Sequence, residues 1–143
     1  MFDKILAAID LDEESASAVL DKAQALAKGE LWVIHAVEPQ YVQYSIDPTF
    51  TGSLTRAMEE DAIKAARTRL AEVCASRGIA EDHQLVSIGR AADQIHEAAN
   101  AHGVDTVVIG SHARRGLGRL LGSTANAVLH GSPVNVMTIR VTE

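Results

Sequence analysis

Short, wholly apolar runs alternate along the chain with longer stretches in which apolar residues recur every three or four positions. Ile5-Leu6-Ala7-Ala8-Ile9 is unbroken, as expected of a parallel strand covered on both faces. The acidic turn Asp10-Leu11-Asp12-Glu13-Glu14-Ser15 can cap a helix, and Ala16, Val19, Leu20, Ala23, Leu26 and Ala27 then repeat at helical spacing until Lys28-Gly29. Residues 31–37 form a second apolar strand. A long helix is predicted over 53–76, with Met58, Ala62, Ala66, Leu70 and Val73 on one side. Its solvated side carries Arg56, Glu59, Glu60, Lys64 and Arg67, and Gly78 stops it. A third strand at 84–88 leads through Gly89-Arg90 into a helix with Ala92, Ile95 and Ala99 inward, ending near His102-Gly103. Residues 104–109 make a fourth strand. A last helix runs from Ser123 to His130-Gly131, stopped by Ser132-Pro133. The fifth strand, 134–141, sets Val134, Val136 and Thr138 against Asn135, Met137 and Ile139.

Strands and helices in strict alternation predict an α/β fold: a three-layer sandwich with a five-stranded parallel sheet, four flanking helices and right-handed crossovers. Ligands of such sheets bind beyond the carboxyl ends of the strands, where strand order reverses. Asp10, Ala36-Val37, Gly89 and Gly110 fall at those ends. Residues 38–52 have no clear period and contain two prolines and two tyrosines; a connection this long is either a functional lid or a variable surface loop.

The length of 143 residues suits one domain, 1–143, with a proper core. A composition of 47% apolar and 22% charged residues is that of a globular protein. The net charge of −6 and 3% aromatic content argue against a nucleic-acid binder, which needs a basic face or stacking platforms. Cys74 is the single cysteine, so no internal disulfide or Cys-rich metal site can form; at its helical position it reads as a small buried hydrophobe. Met1-Phe2-Asp3-Lys4 runs straight into the first strand without a signal-peptide pattern, and no apolar run approaches the ~20 residues of a membrane span. A cytoplasmic location is expected.

Charge is unevenly placed. Between Asp105 and Glu143 there is no acid, and Arg114, Arg115, Arg119 and Arg140 fall in that window. Within it, the strand ending at Gly110 is followed by a glycine- and arginine-rich loop, and Gly122-Ser123-Thr124 then opens a helix. Unpaired first-turn amides and the helix dipole suit an anion, above all a phosphate. Ser123 reads both as an N-cap and as a phosphate ligand. His112 reads as a phosphate contact or as a loop-packing residue. A P-loop is excluded because no lysine occurs in or near this loop. The dinucleotide fingerprint fails because Leu121 stands where its last glycine belongs, and because the first strand-to-helix turn has no glycine.

Gly110-Ser111-His112, Leu120-Leu121-Gly122-Ser123-Thr124, Asp10 after the first strand, Ile34-His35-Ala36-Val37 and Gly89-Arg90 together resemble the universal stress protein family over the whole chain. ATP-binding members carry G-x-x-G, nine residues, then G-[ST]. Here Ala113 replaces the second glycine, and eight residues separate it from Gly122. The resemblance implies an adenine nucleotide alpha hydrolase-like fold and a regulatory protein of the stress response that binds ATP, or AMP or ADP, with or without Mg²⁺. It implies that Asp10 and the backbone near Ala36 hold adenine and ribose, that Gly110 leaves room for ribose and phosphates, and that Gly122, Ser123 and Thr124 cradle the phosphates. Arg114, Arg115 and Arg119 would add charge toward a triphosphate and offset the lost glycine. The resemblance also implies a two-fold dimer through the last strand, from Val134 to Val141, and a regulatory protein partner. The phosphate loop holds no acid to support hydrolysis, so a binding protein is expected rather than an enzyme. A weak ATPase or autophosphorylating protein, using Ser123 or Thr124, and a dimeric interaction module with an empty pocket stand as alternatives.

Overall fold

The computed structural model describes residues 1–39, 51–112 and 121–141, with the backbone alone for 51–55. Its strands are β1 (Lys4–Ala8), β2 (Glu30–Val37), β3 (Gln84–Ile88), β4 (Thr106–His112) and β5 (Asn135–Val141). Helices α1 (Glu13–Leu26), α2 (Thr51–Ala75), α3 (Ala91–Ala101) and α4 (Ser123–Leu129) alternate with them. The strands form one parallel sheet in the order β3-β2-β1-β4-β5. This is the expected five-stranded α/β sandwich.

The two-residue strand period sorts the apolar runs onto two faces. Ile5, Ala7, Ile9, Val33 and Val108 meet Ala16, Val19, Leu20 and Ala23 of α1 and Leu70 and Cys74 of α2. Leu6, Ala8, Ile34, Val107 and Ile109 face Ala92, Ile95, Ala98 and Ala99 of α3 and Ala125 and Val128 of α4. Both faces of the central strands are covered, which is why β1 and most of β4 read as continuous apolar runs rather than as alternating ones. Burial pushes the Cys74 thiol pKa up, in keeping with its reading as a core hydrophobe. On β5, Val134 and Val136 pack on the α3–α4 side and Met137 and Ile139 on the α1–α2 side, as their alternation predicts.

Most boundaries shift by a residue or two, and two of the differences have a clear physical cause. Helix α2 starts at Thr51, so Thr51 and Gly52 belong to it and not to the preceding loop; residues 40–50 of that loop lie outside the described residues. Met58, expected inward, is 42% exposed, and burial begins at Ala66. At about 1.5 Å per residue, 25 residues outreach any strand of this sheet, so the helix has more length than the sheet can cover. Strand β4, expected to end at Ile109, continues through Gly110 and Ser111 to His112. Pairing with β5 carries it on: Gly110 lies opposite Ile139, Ser111 opposite Arg140 and His112 opposite Val141. No helix among the described residues is long and apolar enough to cross a membrane.

Candidate nucleotide site

From β1 the sheet proceeds to β2 and β3 on one side and to β4 and β5 on the other, so strand order reverses between β1 and β4. At this point the flanking helices diverge and leave a crevice beyond the strand ends. It holds a cavity of about 480 Å³. Asp10 and Ser15 enter it from β1 and the first turn of α1, His35 and Ala36 from β2, Gly110 and His112 from β4, and Gly122, Ser123 and Thr124 from the start of α4. Ala8, Ile34, Ile95, Ile109 and Leu121 supply apolar wall. Seven of the residues singled out in the sequence, Asp10, Ala36, Gly110, His112, Gly122, Ser123 and Thr124, therefore surround one space. Arg114 and Arg115, with Arg119, lie outside the described residues.

The acidic turn divides its labour. Asp12 is the N-cap of α1 and accepts the Ser15 N–H at 3.4 Å. Asp10 does not cap the helix, and its carboxylate stands at the cavity with the side chain 68% exposed. The backbone leading to it is fixed on both sides: the Ile9 N–H donates to the Ile34 carbonyl at 3.0 Å, and the Ile9 carbonyl accepts from His35 Nδ1 at 2.9 Å. That second bond places a hydrogen on Nδ1 of His35. Across the crevice, His112 Nε2 lies 3.4 Å from Asp10 Oδ2 and 3.2 Å from Ser15 Oγ.

At the opposite wall the N-cap of α4 is Gly122, not Ser123, and no side chain caps this helix. The Gly122 N–H donates to Ser111 Oγ at 3.1 Å. Ser123 and Thr124 thus open the helix as its first two residues, at the cavity, where backbone donors and hydroxyls can meet an anion. Gly110 lines the cavity and also has close neighbours in the core. A Cβ there would come within 3.0 Å of Val19 Cγ2 and Val141 Cγ2, and 3.9 Å from His112 Nε2. Its bareness lets the methyls of Val19 and Val141 close over the strand.

Ser15 and His35 were not singled out as site residues in the sequence. Ser15 follows three acids in a capping turn and reads as part of that turn. The signal that separates it is that Asp12 already supplies the cap. His35 sits inside an apolar strand, and only the sheet order puts it beside Ile9.

A model of the universal stress protein family matches residues 1–140. The chain belongs to this family. Universal stress protein A homolog 2 of Coxiella burnetii (strain RSA 493 / Nine Mile phase I) is 36% identical over 143 residues, covering 98% of this chain and 96% of that protein. Among solved structures, the hypothetical protein MJ0577 superposes with a TM-score of 0.78 at 20% identity, over 100% of this chain and 99% of that one. A universal stress protein in complex with cAMP superposes with a TM-score of 0.58 at 22% identity, over 99% and 98% of the two chains. Both structural likenesses concern the fold.

Proposed function

We propose that this universal stress protein is an ATP-binding regulator of the stress response. One observation carries the reading: a single cavity, of the size that holds drug-sized ligands, joins a carboxylate at one wall to an uncapped helix start at the other. Asp10 can accept from ribose hydroxyls or the adenine amine, and the backbone at Ala36 lies beside it. Gly122, Ser123 and Thr124 offer amides and hydroxyls to phosphates. The relative complexed with cAMP supports an adenine nucleotide as the ligand class. Ligand occupancy shifts the population of conformations that a protein partner reads, with no chemical step required.

The reading includes a cytoplasmic location and a two-fold dimer in which β5 pairs with its copy. Support for the dimer is the position of β5 at the sheet edge and its sparse charge.

Mass spectrometry of material released by denaturing the freshly purified protein tests the ligand, together with calorimetry against ATP, ADP, AMP and cAMP. An adenine nucleotide in the released material and ATP binding in the micromolar range are expected. Absence of binding to all four at millimolar concentration overturns the reading in favour of an interaction module.

A further inference from the structure

We propose that His112 is a positioning residue for the nucleoside end of the cavity: it holds the Asp10 carboxylate in place and is itself braced by Ser15. The inference rests on the nucleotide reading above and moves His112 away from the phosphate end.

The Asp10 carboxylate, which accepts and never donates, has Oδ2 3.4 Å from His112 Nε2, a distance of electrostatic contact that favours a hydrogen on that nitrogen. The hydrogen-bond partner of the same nitrogen is Ser15 Oγ, at 3.2 Å, which braces the ring beside the carboxylate. The two partners differ in freedom. Ser15 is 2% exposed and fixed by α1, whereas the Asp10 side chain is 68% exposed. An exposed carboxylate samples several rotamers, and ordering it when a ligand arrives weakens affinity; a partner that orders it beforehand removes that loss.

Local structure fixes the imidazole. Pairing of His112 with Val141 makes it the last residue of β4, so its Cα is held in the sheet. Two residues earlier, on the same face, Gly110 lies beside the ring: a Cβ there would be in ordinary contact with Nε2, at 3.9 Å. From the α4 side, a Cβ at Gly122 would lie 3.4 Å from the His112 backbone nitrogen, so the helix start packs against the same residue. His112 therefore joins β4, α1 and the turn after β1 at one nitrogen.

The test compares adenosine, which has no phosphate, with ATP by calorimetry in wild-type, His112→Phe, His112→Gln, Ser15→Ala and Asp10→Ala chains. Crystal structures of the ligand-free wild-type and His112→Phe chains accompany it. His112→Phe is expected to weaken adenosine and ATP by the same factor, about 5- to 10-fold, as loss of one pre-ordered contact predicts. His112→Gln, which keeps a donor, restores most of that affinity, and Ser15→Ala gives a smaller loss of about 2- to 3-fold. In the Asp10→Ala background His112→Phe has no further effect, because the coupling runs through that carboxylate. A loss confined to ATP, or a loss that persists without Asp10, overturns the proposal and returns His112 to the phosphates. If the wild-type chain binds neither compound, the nucleotide reading fails on its own, and the ligand-free structures decide the positioning. Asp10 swinging away in His112→Phe supports it; Asp10 unmoved overturns it.

Discussion

Gly110 and Gly122 look alike in the sequence, each a glycine at the mouth of a cavity, and their surroundings set them apart. At Gly110 a methyl group would meet two core valine methyls at 3.0 Å, and neither Val19 nor Val141 has a free direction in which to yield. Gly110→Ala should therefore destabilise the fold by about 1–3 kcal/mol, the usual range for an overpacked core, as a lowered urea midpoint at unchanged slope. At Gly122, with φ −57°, the nearest backbone atom is 3.4 Å away, an ordinary contact. Gly122→Ala meets no such clash and should cost no more than about 1 kcal/mol, the loss expected when alanine replaces glycine at an N-cap, so the chain stays folded and its nucleotide affinity can be read directly. The sequence tells where these glycines stand and not what they face. That Gly110 also makes room for core methyls, besides lining the cavity, depends on residues 19 and 141, which only the folded sheet brings to it.

Elements show the same division between local and distant causes. Their order and type were legible because the central strands are buried on two faces and every helix carries a stripe of alanine, valine, leucine or isoleucine. The ends were less so: β4 lengthens because β5 continues beside it, and no local signal at Ser111 or His112 announces that. Asp105 shows what pattern alone misses. In sequence it is only the last acid before a basic stretch. In the fold its carboxylate accepts the N–H groups of Phe2, Asp3 and Lys4 at 2.9, 2.9 and 3.0 Å, and the Thr106 hydroxyl at 2.8 Å, tying the entry of β1 to the start of β4. Those bonds, that from Lys4 foremost, hold its pKa at about 2 against an ordinary 3.8. A lowered folded-state pKa means stability that is complete above the unfolded value and is lost as pH falls through about 4 toward 2. Asp105→Asn should lower stability near neutrality by about 1–2 kcal/mol and flatten that acid limb, read from melting temperatures between pH 2 and 7. Gly29, at the other side of the same entry, has a sharper constraint. A Cβ there would stand 2.5 Å from the Asp3 carbonyl oxygen, which already accepts the Glu30 N–H at 2.8 Å. Gly29→Ala should lower stability by about 2–4 kcal/mol, because backbone rather than a movable side chain is in the way.

At the scale of the whole molecule the open question is what covers β5. The Asn135 N–H donates to the Asp105 carbonyl, on the β4 side. By the two-residue period of a parallel ladder, the N–H groups of Val136 and Thr138 then point to the open edge, where the proposed antiparallel copy would receive them. This geometry makes proline at 136 a selective probe. It removes a donor aimed at the partner while the bonds of β5 to β4, made by Asn135 and Met137, stay in place. Its ring also obstructs the approach of a second strand. Val136→Pro should therefore shift the protein from dimer to monomer in light scattering at micromolar concentration, with a helical and sheet circular dichroism signal like that of the wild type. Met137→Pro, one residue on, strikes the β4 ladder instead and should lower the melting temperature. A Val136→Pro chain that stays dimeric while folded would place the interface elsewhere on the molecule, and β5 would then be an edge guarded by other means.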